Sequence, residues 1–61
     1  MKPTLADVRT MRGLTQRELA TRTGIAHGHI GAIEAHHSRA YPGWRKRISA
    51  ALAHDENDIA W

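Results

Sequence analysis

A chain of 61 residues with nine Lys and Arg against six Asp and Glu carries a formal charge of +3, and each of five histidines adds one more when protonated. A chain this short buries only about 60% of its unfolded surface, which leaves room for one small core and no second module. The absence of cysteine excludes a disulfide framework and a Cys-based zinc finger, and without an apolar run of roughly 18 residues or a signal-peptide core in MKPTLADVR the expectation is a cytoplasmic protein with no membrane partner.

In chain order, Pro3 and Thr4 are expected to open a first helix. Leu5, Val8 and Met11 recur on it at the three-residue spacing of a buried stripe, and Gly13 ends it. Three signals together announce a second helix. Thr15 and Glu18 have the spacing of a capping box, in which each side chain reaches the other's backbone N–H, while Leu14 and Leu19 stand where a hydrophobic staple closes the first turn. This helix should run from Gln16 to about Arg22 with Leu19 and Ala20 inward, and Gly24 supplies the left-handed residue that closes it. A third helix is expected to begin near Ala26 or His27. Ile30 and Ile33, with Ile25 just before the helix, complete a small core around Leu19, and the other face carries His27, Gly28, Gly31 and Ala32.

After Glu34 the segment AHHSRAYPG has the composition of a loop, with Ser38, Pro42 and Gly43 as breakers. Pro42 suits the first position of a fourth helix, where its missing N–H goes unused, and Trp44, Ile48, Ala51 and Leu52 follow the spacing of an inward face. Arg45, Lys46 and Arg47 form the densest basic run, either a solvated helix surface or a contact for phosphate. Asp55 is placed to cap a fifth, short helix containing Ile59. Trp61 either covers the core or presents an apolar patch to a second copy, and the enrichment of tryptophan at interfaces favours the second.

The pattern Leu14-Thr15-Gln16, Glu18-Leu19-Ala20, Gly24-Ile25, Ile30 and Ile33-Glu34 resembles the helix-turn-helix of the Cro and C1 phage-repressor family of DNA-binding domains. The likeness is strong over Leu14 to Glu34 and weak from Leu5 to about Ile59. What it implies is an all-α, compact five-helix, lambda-repressor-like domain over residues 1–61, with the third helix in the major groove of a double-stranded operator. It also implies an ion pair from Arg9 to Glu34 that ties the first helix to the end of the third. The bland alternative is two solvated surface charges. Families of this type usually carry Asn-Gly after that glutamate. Here Ala35 and His36 replace them, so the third helix is expected to run on by a few residues.

On a DNA duplex some contacts position the protein and others read the sequence. Gln16, at the start of the second helix, would donate its amide to a phosphate, a role the resemblance gives to a glutamine, and Thr15 either caps alone or adds its hydroxyl. Arg39, with His37 and Ser38, follows the third helix where the second phosphate strand should pass. The base-contacting positions implied by the resemblance fall on His27, Gly28 and Ala32, with Ala26 and His29 beside them. Imidazoles, glycines and methyl groups offer few bidentate bonds, so direct readout is thin. Specificity is then expected to lean on DNA shape and on a homodimer, formed in solution or only on DNA, whose copies read half-sites about one helical turn apart. Gly28 and Gly31 each cost a helix roughly 1 kcal/mol, which points either to close approach of a backbone such as that of DNA or to simple tolerance.

No cofactor, metal or small-molecule ligand is expected. His27 and His29 face different sides of a helix, His36 and His37 are adjacent, and no carboxylate or cysteine completes a ligand set. No nucleophile motif, phosphate loop or paired carboxylate suggests an enzyme. A repressor that blocks transcription from a promoter, of phage or prophage Cro type, fits best. Its rival is a helix-turn-helix antitoxin or protein-interaction module, which would be expected to carry an extra docking segment.

Overall fold

The computed structural model describes residues 1–61 and contains four α-helices: α1 (Leu5–Met11), α2 (Gln16–Thr23), α3 (His27–Glu34) and α4 (Pro42–Leu52). A 3-10 turn, Glu56–Asp58, follows. None of these helices is long and apolar enough to cross a membrane.

Both N-terminal helices begin on reciprocal caps. The Thr15 hydroxyl accepts the Glu18 N–H at 3.0 Å and the Glu18 carboxylate accepts the Thr15 N–H at 2.9 Å, with Leu14 and Leu19 both buried beneath them. The same box, unremarked in the sequence, starts α1, where Thr4 and Asp7 exchange bonds of 3.1 and 3.0 Å. Each box satisfies two of the N–H groups that a helix start leaves unpaired. Met11 departs from expectation, for it is 64% exposed while Leu5 and Val8 are enclosed. Steps of three residues rotate about 60° backward around a helix, so the third member of such a row has turned roughly 120° from the first.

The third helix also ends earlier than expected. It stops at Glu34, and His36 adopts a left-handed conformation with φ +60°. His36 N–H then donates to the Ile33 carbonyl at 3.1 Å and His37 N–H to the Ala32 carbonyl at 2.8 Å. These are the two bonds of a Schellman closure, so a histidine takes the place that glycine usually fills. Ala53 ends α4 in the same way at φ +51°, and Arg12 adds bonds from its guanidinium to the carbonyls of Leu52 at 2.7 Å and Ala53 at 3.1 Å.

The expected fifth helix is replaced by the single 3-10 turn. Asp55 does cap it, accepting the Asn57 N–H at 2.9 Å, but Ile59 lies beyond it in extended conformation. Ala60 N–H bonds to the Pro3 carbonyl at 2.7 Å, in a parallel bridge between Thr4 and Ala60, and this pairing requires an extended chain. Ile59 is thereby carried into the core at 2% exposure.

The core joins Val8 of α1, Leu19 of α2, Ile30 and Ile33 of α3 and Ile48 and Leu52 of α4, with Trp44, Ala51 and Trp61 packed at its rim. Trp61 thus lies against its own core, with its indole N–H donating to the Glu56 carbonyl at 2.9 Å. Ser49 is buried on the inner side of α4, and its hydroxyl has no partner.

Candidate nucleic-acid interface

The turn between α2 and α3 is built by Thr23, Gly24 and Ile25. Gly24 has φ +73° and its N–H closes α2 on the Ala20 carbonyl at 2.9 Å. Thr23, which the sequence did not single out, is buried there. Its hydroxyl donates to the Leu19 carbonyl at 2.9 Å and accepts the Ile25 N–H at 3.3 Å, so the turn's polar groups are paired as Ile25 enters the core.

A chain of side chains fixes the two helices against each other. Arg9 donates from Nε and Nη2 to the two carboxylate oxygens of Glu34, at 2.6 and 3.1 Å, and from Nη1 to the Leu14 carbonyl at 2.7 Å. The side chains are only 16% and 7% exposed, so this is a bidentate, part-buried pair of the kind that holds geometry, not two solvated charges. The Glu34 hydrogen bond, and secondarily its charge, push the Arg9 guanidinium above its ordinary value against the opposing effect of burial. Gln16 joins them, its amide Nε2 donating to Glu34 Oε1 at 3.0 Å, while its Oε1 lies 3.2 Å from His27 Nε2. The Arg9 charge is therefore neutralised inside the fold. Along this groove the exposed cation is Arg17, beside Gln16.

The residues singled out in the sequence fall into two groups. Thr15, Gln16 and His27 come together along a groove that Arg9, Leu14 and Arg17 also line, between the starts of α2 and α3. Ala26 caps α3 without a side-chain bond, and Ala26, His27, Gly28 and His29 are all exposed, whereas Ala32 is half-buried. His37, Ser38 and Arg39 lie apart from these, exposed in the loop after α3, in a second concavity with His36, Arg45 and Trp61. Arg45 is not part of a free basic surface. Its Nε donates to the Ala40 carbonyl at 2.8 Å and its guanidinium carbon sits 5.7 Å from the Trp61 ring centre, while Lys46 and Arg47 remain exposed.

Arg17, Tyr41 and Trp44 are neighbours of the site that sequence reasoning missed. The imidazole of His29 lies against Trp44 with ring centres 5.1 Å apart, and Tyr41 meets Trp44 edge-on at 5.4 Å. An arginine one residue after the predicted amide donor was a usable signal for Arg17. Nothing local relates His29 to Trp44, fifteen positions away.

The profile of the helix-turn-helix domain family matches residues 4–44, from the cap of α1 to the start of α4. The chain belongs to this family. No match was found among curated proteins or among solved structures. Helix-turn-helix membership points to a DNA-binding regulator, and the arrangement of this helix-turn-helix is consistent with that: the second helix of the motif turns Ile30 and Ile33 inward and leaves its N-terminal polar groups outside.

Proposed function

We propose that the protein is a sequence-specific double-stranded DNA-binding transcriptional regulator that lays α3 in the major groove of an operator and blocks transcription, as a Cro-like phage or prophage repressor would. The observation that carries this reading is the locked pair of helices. Arg9, Glu34 and Gln16 hold α2 and α3 in one relative orientation, while His27, Gly28 and His29 are left exposed at the end of α3 that enters a groove. Preorganisation of this sort makes base contacts less costly to form.

In this reading the start of α2 positions the duplex. The second amide hydrogen of Gln16, the Thr15 hydroxyl hydrogen and Arg17 face one phosphate strand, and Ser38, His37 and Arg39 face the other. His27, Gly28, His29, Ala26 and the exposed part of Ala32 face base edges. Two copies on a palindromic site supply the specificity that one short polar face lacks.

The test is selection from a pool of random duplexes, followed by titration of the recovered site at two salt concentrations. A defined site whose affinity falls, for each tenfold rise in salt, by roughly one logarithmic unit per neutralised phosphate is the expected result. Equal, weak binding to every duplex would refute sequence-specific regulation and turn the search to a protein partner.

A further inference from the structure

We infer that His27 presents a hydrogen-bond acceptor to DNA, and so selects a base that carries an exocyclic amine, adenine (N6) or cytosine (N4) over guanine or thymine, on the strand it faces. The inference rests on the DNA-binding reading above. Its reasoning begins at Glu34, whose carboxylate can only accept. Both its oxygens are engaged by Arg9, and Oε1 is also 3.0 Å from Gln16. The Gln16 atom turned to Glu34 must therefore be the NH2 group, and the atom turned to His27 must be the carbonyl oxygen. That oxygen too can only accept, so His27 Nε2, 3.2 Å away, must carry the hydrogen. In the neutral ring Nδ1 is then a bare lone pair.

The consequence runs against what an unconstrained histidine on this helix would suggest. A free imidazole can turn its N–H toward the acceptors O6 and N7 of guanine or O4 of thymine. Here the only N–H of the neutral ring is spent on Gln16, and the ring offers an acceptor. In the major groove the complementary groups are the N6 amine of adenine and the N4 amine of cytosine. Gln16 is the positioning residue in this scheme, and the ion pair between α1 and α3 sets the direction of every hydrogen bond in the row.

Two measurements test it together. The first is long-range 1H–15N correlation of the His27 imidazole in the free protein, in mildly alkaline buffer, which reports which ring nitrogen is protonated. The second is a cycle on the selected duplex, in which adenines are replaced one at a time by purine lacking the N6 amine, and cytosines by pyrimidinone lacking the N4 amine. Each is titrated with the wild type and with His27→Ala. The expected result is the Nε2–H tautomer, together with one position where removing the amine weakens wild-type binding about five- to tenfold and leaves His27→Ala binding unchanged. Gln16→Ala should populate both tautomers and shrink that discrimination. An Nδ1–H tautomer, or a duplex with no amine-sensitive position that depends on His27, overturns the inference while leaving a selected operator standing. Failure to recover any operator overturns the DNA reading itself, and the base preference with it, whatever the tautomer.

Discussion

Replacing Gly28 by alanine should strengthen the fold and weaken DNA binding, an opposition that few mechanisms other than close approach can produce. Gly28 lies in the first turn of α3 without a positive φ, and a β-carbon built there meets no atom within 4 Å. The protein itself therefore gives no reason for glycine. Alanine removes the backbone-entropy cost, about 0.5–1 kcal/mol, which in a domain of this size raises the melting temperature by about 2–8 °C. At Gly31 the β-carbon would lie 3.6 Å from Gln16 Oε1, an ordinary contact, so Gly31→Ala should add a similar increment. If a DNA backbone or base edge comes within reach of the bare helix at Gly28, the added methyl should weaken operator binding about fivefold or more, the equivalent of roughly 1 kcal/mol. Thermal unfolding by circular dichroism and fluorescence anisotropy with the selected duplex measure the two effects. No rise in melting temperature would refute the helix argument. A rise with unchanged affinity would refute close approach and leave simple tolerance as the explanation.

The left-handed residues His36 and Ala53 should each accept glycine with a gain of about 1 kcal/mol, read as a higher denaturant midpoint, because only glycine adopts that conformation without strain. Glu34→Ala should cost about 2–4 kcal/mol in chemical denaturation, since it strands the part-buried Arg9 guanidinium and frees Gln16. A loss below about 0.5 kcal/mol would support two solvated charges instead. Ser49→Ala should stabilise by about 1 kcal/mol in the same assay, because the buried hydroxyl has no partner and alanine is the better helix former. The Thr15 backbone N–H, which donates to the Glu18 carboxylate at 2.9 Å, holds the Glu18 carboxyl below its ordinary value of 4.5. The folded state thus favours the ionised form, so this contribution is present above that value and lost as pH falls through the lower folded value. Glu18→Gln, which keeps the box but cannot titrate, should flatten the acid limb of a plot of melting temperature against pH.

Much of the helix-turn-helix was legible in the sequence because its signals are local. The Thr15–Glu18 box, the Leu14 and Leu19 staple, Gly24 at a left-handed turn and the pair Ile30 and Ile33 each act within a few residues, where backbone geometry leaves little choice. The Arg9–Glu34 pair was legible only through resemblance to a family, since 25 residues separate its members. What the sequence could not supply were outcomes decided by competition across the fold. Met11 turned outward because α1 is packed through Leu5 and Val8. A fifth helix yielded to the bond between Ala60 and Pro3, from opposite ends of the chain. At His36 the chain accepted strain to close α3, and Trp61 settled on its own core. The same holds for the candidate site. His27 and Gln16 were both visible as polar residues near helix starts, but which ring nitrogen carries the proton depends on Glu34, and through it on Arg9. Local hydrogen-bond geometry determined where the helices begin and turn, whereas side-chain packing between distant segments decided where they end and what chemistry their exposed faces present.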